Sequence, residues 1–155
     1  MHPSSADTSD EAFMRLAVNL ALQAELAGEV PVGAVLVLNG QVLGQAHNSP
    51  IRSSDPTAHA EILSIRQAAA AMGNYRLEGA TLYTTLEPCV MCAGALVAAR
   101  VKRLVFGARD LRFGGIRSKF RLADAPVLNH SVEIVEGVLG AECAGLMQRF
   151  FANRR

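Results

Sequence analysis

Residues 80–107 read ATLYTTLEPCVMCAGALVAARVKRLVFG. The first seven of these residues are typical of a buried strand, and Glu87-Pro88 predicts the start of a helix that continues to about Arg100. The stretch 101–107 predicts the next strand. This strand, helix and strand form the centre of an alternating pattern of strands and helices, which the rest of the chain extends in both directions.

An antiparallel hairpin is predicted upstream. The dipeptide Asn39-Gly40 is a strong signal for a two-residue turn, and it separates the stretches 32–38 and 41–46. Helical periodicity and cap signals predict one helix before the hairpin, over about 9–27, and one after it, over about 57–72.

The remaining segments complete the pattern. A polar loop is expected over 48–54, and Asp55-Pro56 is expected to begin the helix at 57–72, with the aspartate as N-cap and the proline at the first helical position. A basic loop is expected over 108–130 and a short strand over 132–135. The apolar stripe of a final helix comprises Leu139, Cys143, Leu146 and Phe150.

The order of these elements predicts an α/β fold. Strands that alternate with helices after an initial hairpin indicate a three-layer α/β/α sandwich around a central mixed five-stranded sheet. The chain has 155 residues, enough for one domain and too few for two, so we expect a single domain over 1–155, with 1–8 as a disordered tail. Ligands in such folds bind near the carboxyl ends of strands.

The composition excludes several classes of protein. Half of the residues are hydrophobic and 19% are charged, which is typical of a compact fold and not of a disordered or low-complexity chain. No apolar stretch approaches the roughly 20 residues that a bilayer span needs, and the first residues lack the pattern of a signal peptide. We therefore expect a cytoplasmic protein without a membrane partner.

Two motifs predict a metal site. His59-Ala60-Glu61 lies at the start of one predicted helix, and Cys89 and Cys92 lie at the start of the next. Helix starts carry a partial positive charge, which favours the thiolate form that binds metals. One imidazole and two thiolates suit Zn²⁺, and three protein ligands leave the fourth position open to water. Glu61 lies roughly 200° around the helix from His59, so a proton shuttle suits it better than a ligand role.

Each motif alone has other interpretations. A lone Cys-x-x-Cys could be a redox pair or half of a structural zinc site, and a lone helical histidine is usually packed or exposed. The glutamate after His59 and the proline before Cys89 make the combination more specific, and together they favour a catalytic zinc. Met91 and Cys143 are predicted to be core residues.

The pattern His-x-Glu followed by Pro-Cys-x-x-Cys resembles the signature of the zinc-dependent cytidine and deoxycytidylate deaminase superfamily. Wider stretches resemble its bacterial tRNA-specific adenosine deaminases, and the similarity extends from about residue 11 to residue 155. The stretches that carry it are 29–37, 48–50, 55–62, 74–77, 86–95 and 105–110.

The resemblance implies hydrolysis of adenosine to inosine at the wobble position of a tRNA anticodon. It implies one Zn²⁺ per subunit, with His59, Cys89 and Cys92 as ligands and Glu61 as the catalytic proton-transfer residue. It also implies a homodimer that binds the anticodon stem-loop. The residues implied in substrate binding are Asn48, Ala108, Arg109, Asp110 and Phe151, with Phe150, Arg154 and Arg155 near the anticodon loop.

The charges are distributed unevenly. Residues 1–99 carry four Lys and Arg against nine Asp and Glu, whereas 100–155 carry eleven against five. Most of the positive excess lies within 100–121. A solvated face is one interpretation of this excess, and an RNA-binding surface is the other.

The segment 111–121 departs from the resemblance. A small, Gly-rich loop ending in Gly-Ser is expected there, but residues 113–121 read FGGIRSKFR. Basic and aromatic residues together suit phosphate pairing and base stacking on an unpaired RNA loop. We expect neutralisation of Arg117 and Lys119 to weaken RNA binding. Ordinary loop packing is the alternative for the two phenylalanines.

Two other functions are consistent with the sequence. The metal motif does not encode the base, so the substrate could be free guanine, cytosine or a cytidine nucleotide. A function of another class is a non-catalytic, zinc-stabilised RNA-binding module, in which the fourth zinc ligand is Cys143, His47 or His130. The basic segment favours an RNA substrate over a free base.

Overall fold

A computed structural model describes residues 8–154. Within this range the chain forms five helices and five strands. The helices are α1 (Thr8–Leu26), α2 (Pro50–Ser53), α3 (Ala60–Met72), α4 (Val90–Ala98) and α5 (Gly140–Ala152). The strands are β1 (Gly33–Leu38), β2 (Gln41–His47), β3 (Thr81–Leu86), β4 (Arg103–Ala108) and β5 (Glu133–Glu136). Of the tail predicted over 1–8, only Thr8 is described, and it begins α1; the rest, like Arg155, lies outside the described residues.

The five strands form one mixed sheet, in the order β2-β1-β3-β4-β5. Strand β1 pairs antiparallel with β2 and β3, whereas β3, β4 and β5 run parallel. The predicted hairpin turn is confirmed, since Asn39 and Gly40 both have positive φ, of 51° and 76°. Such a turn matches the twist of the two strands that it joins. None of the helices in the described range is long and apolar enough to cross a membrane.

Both faces of the sheet are covered by helices. Successive side chains of a strand point to opposite faces, and Val35 and Leu36 of β1 are both fully buried. Val35 packs in the cluster that includes Met14 of α1 and Leu146 of α5. Leu36 packs in the cluster on the opposite face, which includes Leu96 of α4. The predicted three-layer sandwich is therefore confirmed.

The start of α3 differs from the prediction. The helix begins at Ala60 and not at 57, because Asp55 closes a turn instead of capping a helix. Its Oδ1 accepts hydrogen bonds from the backbone N–H of Thr57, at 2.9 Å, and from the Thr57 hydroxyl, at 2.8 Å. This local turn uses the aspartate in the way that such residues commonly do in loops.

The segment predicted as a loop over 48–54 contains the single helical turn α2. The buried carboxylate of Glu29 accepts hydrogen bonds from the backbone N–H groups of Ile51 and Arg52, at 3.2 and 2.8 Å. These donors have no partner within a helix of this length, and Glu29 supplies one. This contact has no local signature because Glu29 lies 22 residues before Ile51.

The start of β1 and the ends of β2, β3 and β4 lie at the same edge of the sheet. Gly33, the first residue of β1, pairs with His47, the last residue of β2. The parallel strands β3 and β4 also end at this edge, at Leu86 and Ala108. The loops that lead to α3 and α4 therefore meet here, as expected for a ligand site in an open α/β sheet.

Candidate metal centre and active site

Three side chains converge at this edge of the sheet. His59 precedes α3 and Cys89 precedes α4 as their N-caps, and Cys92 lies in the first turn of α4. The Nδ1 atom of His59 lies 3.6 Å from Sγ of Cys89 and 3.5 Å from Sγ of Cys92. All three atoms lie within 4.8 Å of one another. These separations suit ligands around one tetrahedral Zn²⁺ with bonds of about 2.0–2.3 Å.

The residues considered as a fourth zinc ligand lie elsewhere. The ring of His47 hydrogen-bonds to the carbonyl of Asn48 at 2.9 Å, and that of His130 to the carbonyl of Val101 at 2.7 Å. Cys143 is buried on the other face of the sheet. In residues 8–154, the group of three is the one set of His, Cys, Asp or Glu side chains close enough to share a metal ion. The donor set therefore fits a zinc ion that keeps one position for solvent.

Glu61 lies beside this group but is not part of it. Its side chain is buried, and burial raises its pKa to about 7. Hydrogen bonds from Cys92 and then from His59 lower the pKa of the Cys89 thiol to about 4, and the contact with Cys89 together with burial raises the pKa of Cys92. Zinc binding requires both sulfurs as thiolates, so loading the site releases protons.

His59, Cys89 and Glu61 line a cavity of about 550 Å³, a size typical of small-molecule sites. The other residues that line it come from the strand ends, from the loops beside them and from α2, α4 and α5: Val30, Val32, Asn48, Pro50, Leu86, Glu87, Val90, Met91, Asp110, Arg112, Phe113, Phe120, Met147 and Phe151.

Comparison with known proteins agrees with this geometry. Residues 7–108 match the family model of the cytidine and deoxycytidylate deaminase zinc-binding region. The chain belongs to the cytidine and deoxycytidylate deaminase family. The family resemblance seen in the sequence is thereby confirmed, and so is the zinc-binding character of the site.

Individual relatives indicate which kinds of deaminase within the family this chain is similar to. It is 51% identical, over 94% of its length and 85% of the relative's, to a protein of Haemophilus influenzae named tRNA-specific adenosine deaminase. A solved structure from a study of A-to-I editing by tRNA:A34 deaminases is 44% identical, with a TM-score of 0.84 over 87% of this chain and 98% of that one. The guanine deaminase of Bacillus subtilis is 43% identical, with a TM-score of 0.62 over 64% of each chain.

Asn48 lies in the wall of the deaminase cavity, as its implied role in substrate binding requires. Its Oδ1 accepts a hydrogen bond from the backbone N–H of Ala60 at 2.8 Å. This contact fixes the amide beside the first turn of α3, and it leaves the Nδ2 group as the donor for a ligand.

The other residues implied in substrate binding are placed differently. Phe151 and Asp110 line the cavity, but Ala108 and Arg109 do not. The guanidinium of Arg109 donates two hydrogen bonds to Glu136, at 2.8 and 3.0 Å, on the outside of the sheet edge. Asp110 uses Oδ1 to accept from the backbone N–H groups two and three residues later, so its side chain shapes the loop.

The C-terminal residues also divide between core and surface. Phe150 is buried, whereas Phe151 is half exposed at the cavity. The guanidinium of Arg154 lies 4.0 Å from the centre of the Phe150 ring. Arg154 therefore covers a core residue, and its implied position near the anticodon loop stays a prediction.

Glu87 is a residue of the site that the sequence analysis missed. Its buried carboxylate accepts five hydrogen bonds: from the backbone N–H groups of Asp110, Ile116, Arg117 and Ser118 and from the Ser118 hydroxyl. Burial alone would raise its pKa, but these hydrogen bonds outweigh burial and hold it below its ordinary value. The one available signal was a carboxylate placed directly between a buried strand and the Pro-Cys motif.

The same loop is tied to the metal ligands. The backbone N–H of Gly115 donates to the carbonyl of Pro88 at 2.8 Å, and Gly114 pairs with Cys89 in an isolated β-bridge. Glu87 and these backbone contacts together fix the segment from Asp110 to Ser118 over the start of α4. The basic segment is thus an anchored wall of the cavity.

Gly114 is expected to tolerate no side chain. A Cβ there would lie 2.4 Å from the Glu87 carboxyl group, which five hydrogen bonds prevent from moving. We expect Gly114→Ala to lower the free energy of unfolding by about 1–3 kcal/mol in urea titrations. Gly94→Ala is the control, since nothing lies within 4 Å of its Cβ, and in a helix alanine should stabilise by up to about 1 kcal/mol. Equal effects of the two substitutions would contradict this description of the loop.

The basic segment holds fewer free charges than the sequence indicates. Arg117 donates two hydrogen bonds to Asp124, at 2.9 and 2.8 Å, and Arg121 donates another to the same carboxylate at 2.9 Å. Within residues 8–154, Arg112 and Lys119 form no ion pair. Because Arg117 and Arg121 share the single carboxylate of Asp124, we expect neutralisation of Lys119 to weaken RNA binding more than neutralisation of Arg117 does.

Asp124 makes the stability of the deaminase depend on pH. Hydrogen bonds from Arg117, followed by those from Arg121, lower its pKa to about 2. A carboxylate with a lowered pKa stabilises the fold above its ordinary pKa of about 3.9, and this contribution is lost as the pH falls toward 2. We expect Asp124→Asn to lower the free energy of unfolding at pH 7 by on the order of 2 kcal/mol, and the difference from wild type to shrink between pH 4 and pH 2.

Urea unfolding at a series of pH values measures this difference. Glu142→Gln is the control, because Glu142 pairs with Arg15 on the exposed surface and such pairs contribute little. A difference for Asp124→Asn that stays constant down to pH 2 would show that the ion pairs are not its source.

Proposed function

We propose that this deaminase hydrolyses adenosine to inosine at the wobble position of a tRNA anticodon. The observation that carries the proposal is the cavity in which a three-ligand zinc group and a buried carboxyl group meet. The relative from Haemophilus influenzae, which is 51% identical and matches nearly the whole chain, is named tRNA-specific adenosine deaminase. The solved structure that is 44% identical comes from a study of A-to-I editing at the wobble position of transfer RNA. The cation of Arg112 and the half-exposed phenylalanines that line the cavity suit the unpaired loop of an RNA.

The roles of the side chains follow from their positions. His59, Cys89 and Cys92 would hold the zinc ion. The chemistry that zinc supplies when bound is the acidification of a water molecule, which gives a nucleophile at neutral pH. Glu61 would take a proton from the attacking water as the water oxygen bonds to C6 of the adenine ring.

The same carboxyl group completes the reaction. Glu61 passes its proton to the ring nitrogen N1 and takes the second proton of the added water to the amino group on C6. The bond between C6 and the amino nitrogen then breaks, and inosine and ammonia are formed. Asn48 is positioned to hold the nucleoside during these transfers, with its Nδ2 group as a donor.

We also infer that the enzyme is a cytoplasmic homodimer that binds the anticodon stem-loop. Val90, which lines the cavity, and Ile51, which follows the lining residue Pro50, are exposed apolar side chains, and a second copy of the chain would cover such a surface. A shared surface would let both subunits contact one RNA. Sedimentation should give a mass near 33 kDa, about twice the 16.5 kDa of the chain. A mass of one chain at micromolar concentration would contradict the dimer.

The substrate is tested by direct comparison. We expect inosine to form in an anticodon stem-loop that carries adenosine at the wobble position, with much slower turnover of free adenosine, guanine, cytosine and cytidine nucleotides. The likeness to guanine deaminase makes free guanine the second candidate substrate. Turnover of guanine without any inosine in the stem-loop would overturn the proposal in favour of that candidate.

A further inference from the structure

We propose that Phe113 and Phe120 form a stacking subsite for an unpaired base next to the reacting adenosine, and that Arg112 is placed to meet the phosphate of that nucleotide. The inference rests on the proposed function and adds a second binding position to it. It assigns a role to the segment that departs from the family pattern.

The first observation is where the aromatic side chains lie. The chain has six Phe, two Tyr and no Trp. Phe113 and Phe120 are 61% and 54% exposed, although large aromatic side chains are usually buried. Both line the cavity that contains Glu61, and Phe151, which is half exposed, lines it as well. Of the four exposed aromatic side chains in the described residues, three thus line this cavity, and only Tyr75 lies outside it.

The second observation is that the segment is held in place. Ile116, between the two rings in sequence, is fully buried, and the Glu87 carboxylate binds the backbone on both sides of it. Asp124 ties down Arg117 and Arg121 from outside the cavity. A ring carried on an anchored backbone loses less freedom when a base stacks on it than a ring on a mobile loop, so this arrangement favours binding.

The third observation identifies the occupant. The guanidinium of Arg112 lies 5.2 Å from the centre of the Phe113 ring, and this residue also lines the cavity. Within the described residues, neither Arg112 nor Lys119 has a carboxylate partner. An aromatic ring that can stack on a base, next to a cation that can pair with a phosphate, matches a nucleotide. Stacking accepts any base, so we expect little base preference at this position.

The test pairs protein variants with altered RNA. The substrate is an anticodon stem-loop with wobble adenosine, either intact or with an abasic nucleotide on the 5′ or the 3′ side of that adenosine. The variants are Phe113→Leu, Phe120→Leu and Phe113→Tyr, which keeps a ring. Leu111→Ala is the matched control, since Leu111 is 73% exposed in the same segment but does not line the cavity.

We expect the leucine variants to raise KM for the intact RNA by on the order of tenfold, with kcat changed less than about twofold. With the wild-type enzyme, one of the two abasic substrates should show the same increase in KM relative to the intact RNA. With the leucine variants, KM for that abasic substrate should not increase further. Phe113→Tyr and Leu111→Ala should leave KM near that of wild type. The proposal would be overturned if removal of the base raised KM equally in the wild type and in the leucine variants. It would also be overturned if Leu111→Ala raised KM as much as the leucine variants do.

A binding measurement separates this inference from the proposed function. With 2-aminopurine beside the wobble position, stacking on a ring should quench its fluorescence when the wild-type protein binds, and the leucine variants should lose this quenching. Quenching that persists in both leucine variants would overturn the stacking subsite even if inosine forms. Absence of inosine with the wild-type enzyme would instead overturn the proposed function.

Discussion

Glu61→Gln is expected to abolish deamination and to leave the zinc in place. Glu61 lies in the cavity beside the metal ligands but is not a member of the group that they form. Glutamine preserves the shape of the side chain and cannot carry a proton, so both proton transfers are lost. We expect a rate loss of at least about 10²–10⁴-fold in single-turnover inosine formation.

Zinc content by elemental analysis is the companion measurement. We expect one zinc ion per chain in wild type, in Glu61→Gln and in Glu61→Ala. A variant with full zinc and more than a tenth of the wild-type rate would exclude Glu61 from proton transfer. Loss of zinc from Glu61→Gln would instead make Glu61 a ligand.

Cys92→Ala is expected to remove both the zinc and the activity. The substitution takes away one of three ligands, and the remaining imidazole and thiolate cannot close a tetrahedral site. Zinc bound by ligands at two helix starts would stabilise the folded state, so we expect a lower melting temperature than for the zinc-loaded wild type.

Cys143→Ala is the matched control for Cys92→Ala. Both sulfurs are buried, but Cys143 packs on the opposite face of the sheet and contacts Gly107. We expect this variant to keep its zinc and its rate of inosine formation. Zinc loss from Cys143→Ala would support a structural metal site with four protein ligands, and full zinc in Cys92→Ala would remove Cys92 from the ligand set.

The metal centre could be predicted from the sequence because its signals are local. His59, Cys89 and Cys92 lie at or next to helix starts, and the cap and strand signals around them are read within a few residues. The apolar run of β1 and the Asn39-Gly40 turn are local in the same way. Apolar runs and turn signals therefore predicted the sheet, and the His-x-Glu and Pro-Cys-x-x-Cys motifs predicted the ligands.

The wall of the cavity could not be predicted because its contacts are distant in sequence. The hydrogen-bond donors to the Glu87 carboxylate follow it by 23 to 31 residues, and no sequence pattern near Glu87 predicts these contacts. No acidic residue next to Arg117 in the sequence indicates a partner for it, but Asp124, seven residues later, pairs with it in the fold. The start of α3 was misplaced for a different reason, since Asp55 has the same signature in a turn as at an N-cap.

X-ray absorption at the zinc edge, on protein purified without chelators, tests the metal centre most directly. We expect two sulfur ligands at about 2.3 Å and two nitrogen or oxygen ligands at about 2.0 Å. An added adenosine analogue with its own zinc-binding hydroxyl should replace one of the two nitrogen or oxygen ligands. A third sulfur ligand, a light-atom shell that such an analogue leaves unchanged, or protein that contains no zinc would contradict a catalytic zinc site.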